Sequence, residues 1–443
     1  MYKIYKAICA VLTAIITLLS SLGFNVMPRE KGKSTVAAYS EYGTVQETFE
    51  VSFDLQKVNT LEINLESTPE TTVIIESHGQ KLYERTGGEN YRFCAFKTTE
   101  TDSLTVKISP AATVGDVTVS LKTSANKDFR VTAYVCTDTV LNRNSIDEKY
   151  FDIITDVIMI SGVTFNEKGE VTVDENMVET GVNNVRDAIG DRDISVYMTF
   201  LGPGSDPGLT DWEDQMNSKS KKYTKAFLNP KFIVNINKVV EKYDFDGIFF
   251  DYEYPIQEKY WFDFDAFLQR LDMSTDKKIG IAVSDWNLLI EKVGIDSCDM
   301  IEMMQYDRFD ANGNHAPFTL APATVDKARE LLIDTKKIDL GVPFYARPAD
   351  AGGYWLDYKD YANELGFSKD STEAFCGKVY FNSYQTIYDK TAYALAYGLG
   401  GMMIWHFSCD MPDSESPLSL FGAMGDCISD RVVEEGHSRA KIC

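Results

Sequence analysis

From about residue 126 onward the chain repeats one alternation, a short apolar run followed by a stretch with helical spacing. Eight runs can be read, at Val131–Val135, Val157–Ser161, Ile194–Phe200, Gly247–Phe250, Ile279–Val283, Met300–Gln305, Asp339–Pro343 and Gly401–Trp405. Near-continuous apolar runs are what strands covered on both faces require. Ahead of the fourth run, Asn229 can cap a helix and Pro230 suits its first turn. Phe232, Ile233, Ile236, Val239, Val240 and Tyr243 then form one apolar stripe. Eight buried strands separated by helices over 126–432 predict an α/β fold, a (β/α)8 TIM barrel. Reactive side chains in that architecture gather at the C-terminal ends of the strands, which narrows the search to eight short stretches.

The region before the barrel has a different period. Segments such as Glu47–Leu55, Thr60–Leu65, Thr72–Glu76, Tyr91–Phe96, Leu104–Ile108 and Val117–Leu121 alternate apolar and polar residues. Period two with frequent turn residues predicts a small all-β sandwich over 44–125. It reads as a spacer or packing domain rather than a carbohydrate- or wall-binding module, since no exposed aromatic triplet stands out. Residues 28–43 are polar and read as a linker, and 433–443 as a tail. Within 1–27, Lys3 and Lys6 precede an apolar run from Ala7 to Leu19, the pattern of a signal peptide or membrane anchor. Export, with association at the cell surface or wall through this end, is the expectation.

Forty-four Lys and Arg stand against 67 Asp and Glu, a formal charge of −23. That balance excludes a nucleic-acid partner, because phosphate contacts need clustered cations. Nothing in it calls for more than a monomer. No two of the four histidines sit at metal-ligand spacing and no CxxC occurs, so neither a metal nor another cofactor is expected. Of eight cysteines, Cys9 falls in the leader, which leaves an odd number. Few disulfides are expected, and Cys376 with Cys409 is a candidate pair.

The fourth run carries the chemistry: Asp246-Gly247-Ile248-Phe249-Phe250-Asp251-Tyr252-Glu253. Alternation along a strand points Gly247, Phe249, Asp251 and Glu253 one way, into the barrel, and Ile248 and Phe250 outward. Two carboxyls then stand in line at the strand mouth, with Glu253 outermost. Buried acids without partners are costly, and the C-terminal end of a barrel strand is where that cost serves catalysis.

These residues resemble the DxxDxDxE signature of glycoside hydrolase family 18, the chitinases and related endo-β-N-acetylglucosaminidases. Asp246, Asp251 and Glu253 match its first, third and last positions, and Phe249 replaces the second acid. Met303-Met304-Gln305-Tyr306-Asp307 is similar to the sixth-strand motif, and Gly341 to Arg347 to the seventh, with Tyr345 and Arg347. The stretch ending at Trp405 resembles the eighth, and Ala133-Tyr134 the first. The third-strand motif is poorly kept.

The resemblance implies a secreted hydrolase of β-1,4-linked, N-acetylglucosamine-containing oligo- or polysaccharides. It implies retention by substrate-assisted catalysis through an oxazolinium ion. Glu253 would protonate the leaving oxygen and then activate water, its pKa raised by burial and by Asp251. Asp251 would orient the acetamido group and Tyr306 would donate to its oxygen. Asp307, Trp405, Tyr345, Arg347 and Tyr134 would hold the sugar. Trp212, Trp261, Trp286, Tyr354 and Trp355 are candidates for sugar stacking, Trp286 first among them. With Phe249 in place of an acid, Asp251 is expected to face Glu253 and to ionise more readily. The short segment from Pro348 to Lys378 implies an open groove. Chitin-type chains lead the substrate classes, with N-glycan cores and peptidoglycan or spore wall as alternatives. The other alternative is a non-catalytic glycan-binding barrel.

Overall fold

The computed structural model describes residues 129–310, 313–348, 356–362, 375–376 and 379–431, together with eight strand segments between 34 and 123. The leader at 1–27 and the tail at 433–443 lie outside the described residues. Among the described residues no helix is long and apolar enough to cross a membrane.

The N-terminal strands form two four-stranded antiparallel sheets. One runs in the order Ser34–Gly43, Val114–Thr123, Thr60–Leu65, Tyr91–Ala95. The other runs Phe49–Asp54, Ser103–Ser109, Thr72–Ser77, Gln80–Thr86. The first strand corrects the reading of 28–43 as a linker. Ser34–Gly43 pairs along its length with Val114–Thr123. Its small residues Ala37, Ala38 and Ser40 dilute the alternation that marks the other strands.

The barrel strands are β1 (Arg130–Cys136), β2 (Asp156–Ile160), β3 (Ser195–Thr199), β4 (Gly247–Asp251), β5 (Lys278–Val283), β6 (Met300–Met304), β7 (Ile338–Pro343) and β8 (Gly401–Trp405). They close into one barrel in sequence order, all parallel, with β8 returning to β1. Each falls within a residue or so of its predicted run. The main outer helices are α1 (Glu175–Ile189), α2 (Trp212–Leu228), α3 (Pro230–Tyr243), α4 (Glu258–Asp272), α5 (Lys292–Asp296), α6 (Leu320–Glu330), α7 (Tyr384–Tyr397) and α8 (Leu420–Arg431). Asn229 caps α3 as read from the sequence, its Oδ1 accepting from the Lys231 N–H at 3.0 Å.

Two apolar cores follow from strand alternation. Ile248 and Phe250 face the helices, where Phe250 meets Phe267 edge-on at 5.4 Å between centroids. Inside the barrel, Phe249 packs with Tyr134, Ile158, Tyr197, Met300, Met304 and Met403. The Phe249 ring takes space that β5 leaves by having glycine at 280. A Cβ there would lie 2.1 Å from Phe249 Cζ. The floor below is polar: Arg130 pairs with Asp339 at 2.5 Å, and the Tyr197 hydroxyl donates to Asp156 at 2.9 Å. After β7 the chain adds a small antiparallel sheet ordered Leu356–Asp357, Tyr345–Pro348, Val379–Tyr380, Phe375–Cys376.

Candidate active site

β4 ends at Asp251, and the chain leaves it with Glu253 still turned toward the barrel mouth. Asp251 Oδ1 is buried and has no hydrogen-bond partner among the described residues. Burial, then repulsion from Glu253, pushes the Asp251 carboxyl up to about 8, against a weaker pull from Lys219. Glu253 is also raised, first by burial, with Asp307 adding to the rise. A hydrogen bond from Tyr254 and the charge of Lys219 oppose it. The Tyr254 hydroxyl donates to Glu253 Oε1 at 2.9 Å.

This overturns the expected ionisation of Asp251. The absence of an acid at 249 spares Asp251 one source of repulsion, but Asp251 is itself buried. The desolvation cost of the carboxylate exceeds the relief. Burial thus raises both acids of the pair above their ordinary values. Among the described residues no hydrogen bond joins Asp251 to Glu253.

The predicted partners surround this pair. Tyr306 feels Tyr345, Tyr134, Glu253 and Asp251, and burial holds its hydroxyl well above the usual range. Tyr134 feels both acids as well, and its hydroxyl is buried without a partner among the described residues. Its ring lies 5.4 Å from that of Trp405, tilted by 57°. Trp405 closes one side, and its peptide bond to His406 is cis, as is that between Glu253 and Tyr254.

Asp307 sits just beyond β6 at φ 57°. Its Oδ1 accepts from the Tyr345 hydroxyl at 2.5 Å and from Arg347 Nε at 2.9 Å and Nη2 at 2.8 Å. Its N–H donates to His315 Nε2 at 3.0 Å. Burial would raise Asp307, but His315, Tyr345 and Arg347 outweigh it and hold the carboxyl below its ordinary value. Tyr345 and Arg347 thus reach the site through Asp307.

Trp286 stands apart from the pocket floor. It is 51% exposed, 5.2 Å from the Tyr254 ring and 6.0 Å from Trp212, itself 46% exposed. The three rings make an aromatic path from the surface to Glu253. Trp261 belongs to the core instead, its N–H donating to the Pro255 carbonyl at 2.8 Å. Tyr354 and Trp355 lie outside the described residues.

Sequence reasoning missed three members. Tyr254 falls on the wrong side of a strand extrapolated past Asp251, and only the turn after the strand brings its hydroxyl back. His315 and Lys219 come from a loop and from α2, where no periodicity points at the mouth. The candidate pairing of Cys376 with Cys409 is also corrected. Cys409 is a free thiol in contact with Asp357 and His406.

Residues 212–410 match the family model described as glycosyl hydrolases family 18. Solved structures share the fold at low identity. The GH18 chitinase ChiB from the chitin utilization locus of Flavobacterium johnsoniae is 21% identical, with TM-score 0.56, over 69% of this chain and 95% of that one. A chitinase from Bacteroides thetaiotaomicron is 19% identical, with TM-score 0.55, over 70% and 99%. A mutant class V chitinase from Nicotiana tobaccum in complex with NAG4 is 15% identical, with TM-score 0.52, over 67% and 98%. No curated protein matches the chain.

Proposed function

We propose that the barrel is a family 18 glycosyl hydrolase domain and that it cleaves β-1,4 bonds of N-acetylglucosamine chains with retention. The observation that carries this reading is the buried acid pair, Glu253 and Asp251, both raised, at the mouth of β4. A general acid must still hold its proton at working pH, and burial supplies that for Glu253. The acetamido oxygen of the sugar attacks the anomeric carbon while Glu253 protonates the departing oxygen. Such substrate assistance is a recognised exception to the two-carboxylate scheme.

Asp251, with an oxygen free of partners among the described residues, accepts from the acetamido N–H. The ionised form of Asp251 stabilises the positive charge that develops on the oxazolinium ring. Tyr306 donates to the acetamido oxygen, and Trp405 with Tyr134 lies beneath the ring. Asp307, fixed by Tyr345 and Arg347, holds the sugar hydroxyls. Trp286 stacks on a further sugar along the open side. The apolar run behind Lys3 and Lys6 supports an extracellular or surface location.

The test compares wild type with Glu253→Gln on chitooligosaccharides and on a high-mannose glycoprotein. Wild type should release N-acetylglucosamine oligomers. Loss of the acid should cost roughly 10²–10⁴-fold in kcat, with oligomer binding retained. Binding of either glycan by wild type with cleavage of neither would make the barrel a lectin. Cleavage of the glycoprotein alone would move the substrate to N-glycan cores.

A further inference from the structure

Beside β8, folding gathers three side chains of metal-ligand type. Cys409 Sγ lies 3.3 Å from Asp357 Oδ1 and 3.3 Å from His406 Nε2. One ligand atom from each residue fits within a mutual span of 4.8 Å. A tetrahedral zinc ion, with bonds of about 2.3 Å to sulfur and about 2.0–2.1 Å to nitrogen or oxygen, spaces its ligand atoms by about 3.5 Å. The two sulfur contacts are therefore of the size a shared ion sets. Thiolate, imidazole and one carboxylate form a donor set suited to zinc and unlike the all-oxygen shells of magnesium or calcium.

The surroundings fit a divalent charge. Asp357 turns Oδ1 to the sulfur and Oδ2 to Lys359 Nζ at 2.8 Å, so one oxygen is available while the other is anchored. Cys409 is 1% exposed and Asp357 partly exposed, giving a buried sulfur with an entry side. Neither His406 nor Cys409 has a role in the hydrolytic scheme above.

We propose that Asp357, His406 and Cys409 bind one zinc-class divalent ion, with solvent completing a tetrahedron. On binding, the Cys409 S–H bond breaks, a metal–sulfur bond forms and the proton leaves to solvent. No redox change is involved. Thiolate and carboxylate offset the ion's charge, against the cation of Lys359 on the far oxygen of Asp357. Asp357 is the register partner of Tyr345 in the small sheet, and His406 directly follows Trp405. The ion thus ties the segment carrying Trp405 to the one carrying Tyr345, two sides of the site, without touching the reacting atoms.

The test is Co2+ titration of the purified, metal-stripped chain, read by absorption, with zinc displacement and thermal unfolding alongside. One equivalent of Co2+ should give tetrahedral d–d bands and a thiolate charge-transfer band, both abolished by zinc. Zinc should raise the unfolding temperature of the stripped protein. Cys409→Ser and Asp357→Asn should each remove the thiolate signature or weaken binding by at least tenfold, while Cys298→Ser keeps it. Asp357→Asn alters a partly exposed position, so its loss of metal is read on a folded chain, checked by circular dichroism. Absence of a stoichiometric thiolate band in wild type, or its persistence in Cys409→Ser, overturns the proposal. The three residues would then be a hydrogen-bonded cluster only.

Discussion

Tyr254 donates its hydroxyl to Oε1 of Glu253 at 2.9 Å, so the acid is gripped by the residue that follows it. A donor to a carboxylate favours the ionised form, and here it opposes the rise that burial imposes. Tyr254→Phe removes the donor and leaves the burial. The Glu253 pKa should rise, and the alkaline limb of kcat/KM on an N-acetylglucosamine oligomer should move to higher pH. A limb that stays put, or moves down, would show that Tyr254 does not tune the acid.

Asp251 makes stability depend on pH in a direction opposite to a salt-bridged carboxylate. Its folded value is pushed up to about 8, from an ordinary 3.8. Below the ordinary value the group is protonated in both states and costs nothing. Between the two values the unfolded chain releases the proton and the folded chain does not, so stability is lost as pH rises. Asp251→Asn removes the titration. Its unfolding temperature relative to wild type should climb from pH 4 to pH 8 and then level off. At one pKa unit per 1.36 kcal/mol the gain is on the order of 2–5 kcal/mol. Melting curves across that range check it, and a constant difference would contradict the assignment.

Phe249 and Gly280 are a matched pair. The ring fills the barrel centre with no exposure, and it fits because position 280 lacks a Cβ. Gly280→Ala should destabilise by about 1–3 kcal/mol through overpacking. Phe249→Leu should cost about 1–3 kcal/mol for the lost contacts. The double variant should recover part of the sum, since each change relieves the other. Additive losses in chemical denaturation would mean the two positions are independent. Phe249→Asp is harsher still, because it empties a dry core as well as adding an acid.

The barrel was legible because its eight strands are short, mostly apolar runs and its helices carry a single apolar stripe. That contrast places every boundary within about a residue, and it places Phe249, Asp251 and Glu253 on the inner side by alternation alone. Contacts that depend on the path of a loop were not legible. Tyr254 returns to Glu253 only after the strand ends, and His315 meets Asp307 across a turn whose backbone Asp307 itself reverses. Asp357 lies 52 positions from Cys409, so the reading of histidine spacing alone had no means of finding that cluster. The strand at Ser34–Gly43 escaped for a simpler reason, its small side chains giving little alternation to read.

Arg347 places two nitrogens on one oxygen of Asp307, at 2.9 Å and 2.8 Å. With Tyr345 and His315 it holds that carboxyl below its ordinary value although burial works the other way. Arg347→Met should let the Asp307 pKa rise, so activity lost on acidification disappears at higher pH than in wild type. Hydrogen bonds to a charged group contribute about 1.5–3 kcal/mol each. Asp307 keeps 35% side-chain exposure. Water therefore compensates in part, and a loss of about tenfold in kcat/KM is expected rather than a hundredfold. Arg347→Lys restores the charge but not the two-nitrogen grip, so it should recover the acid limb better than the rate. The measurement is the pH dependence of kcat/KM for both variants. If Arg347→Met lowers the rate equally at every pH, Arg347 braces the loop without setting the ionisation of Asp307.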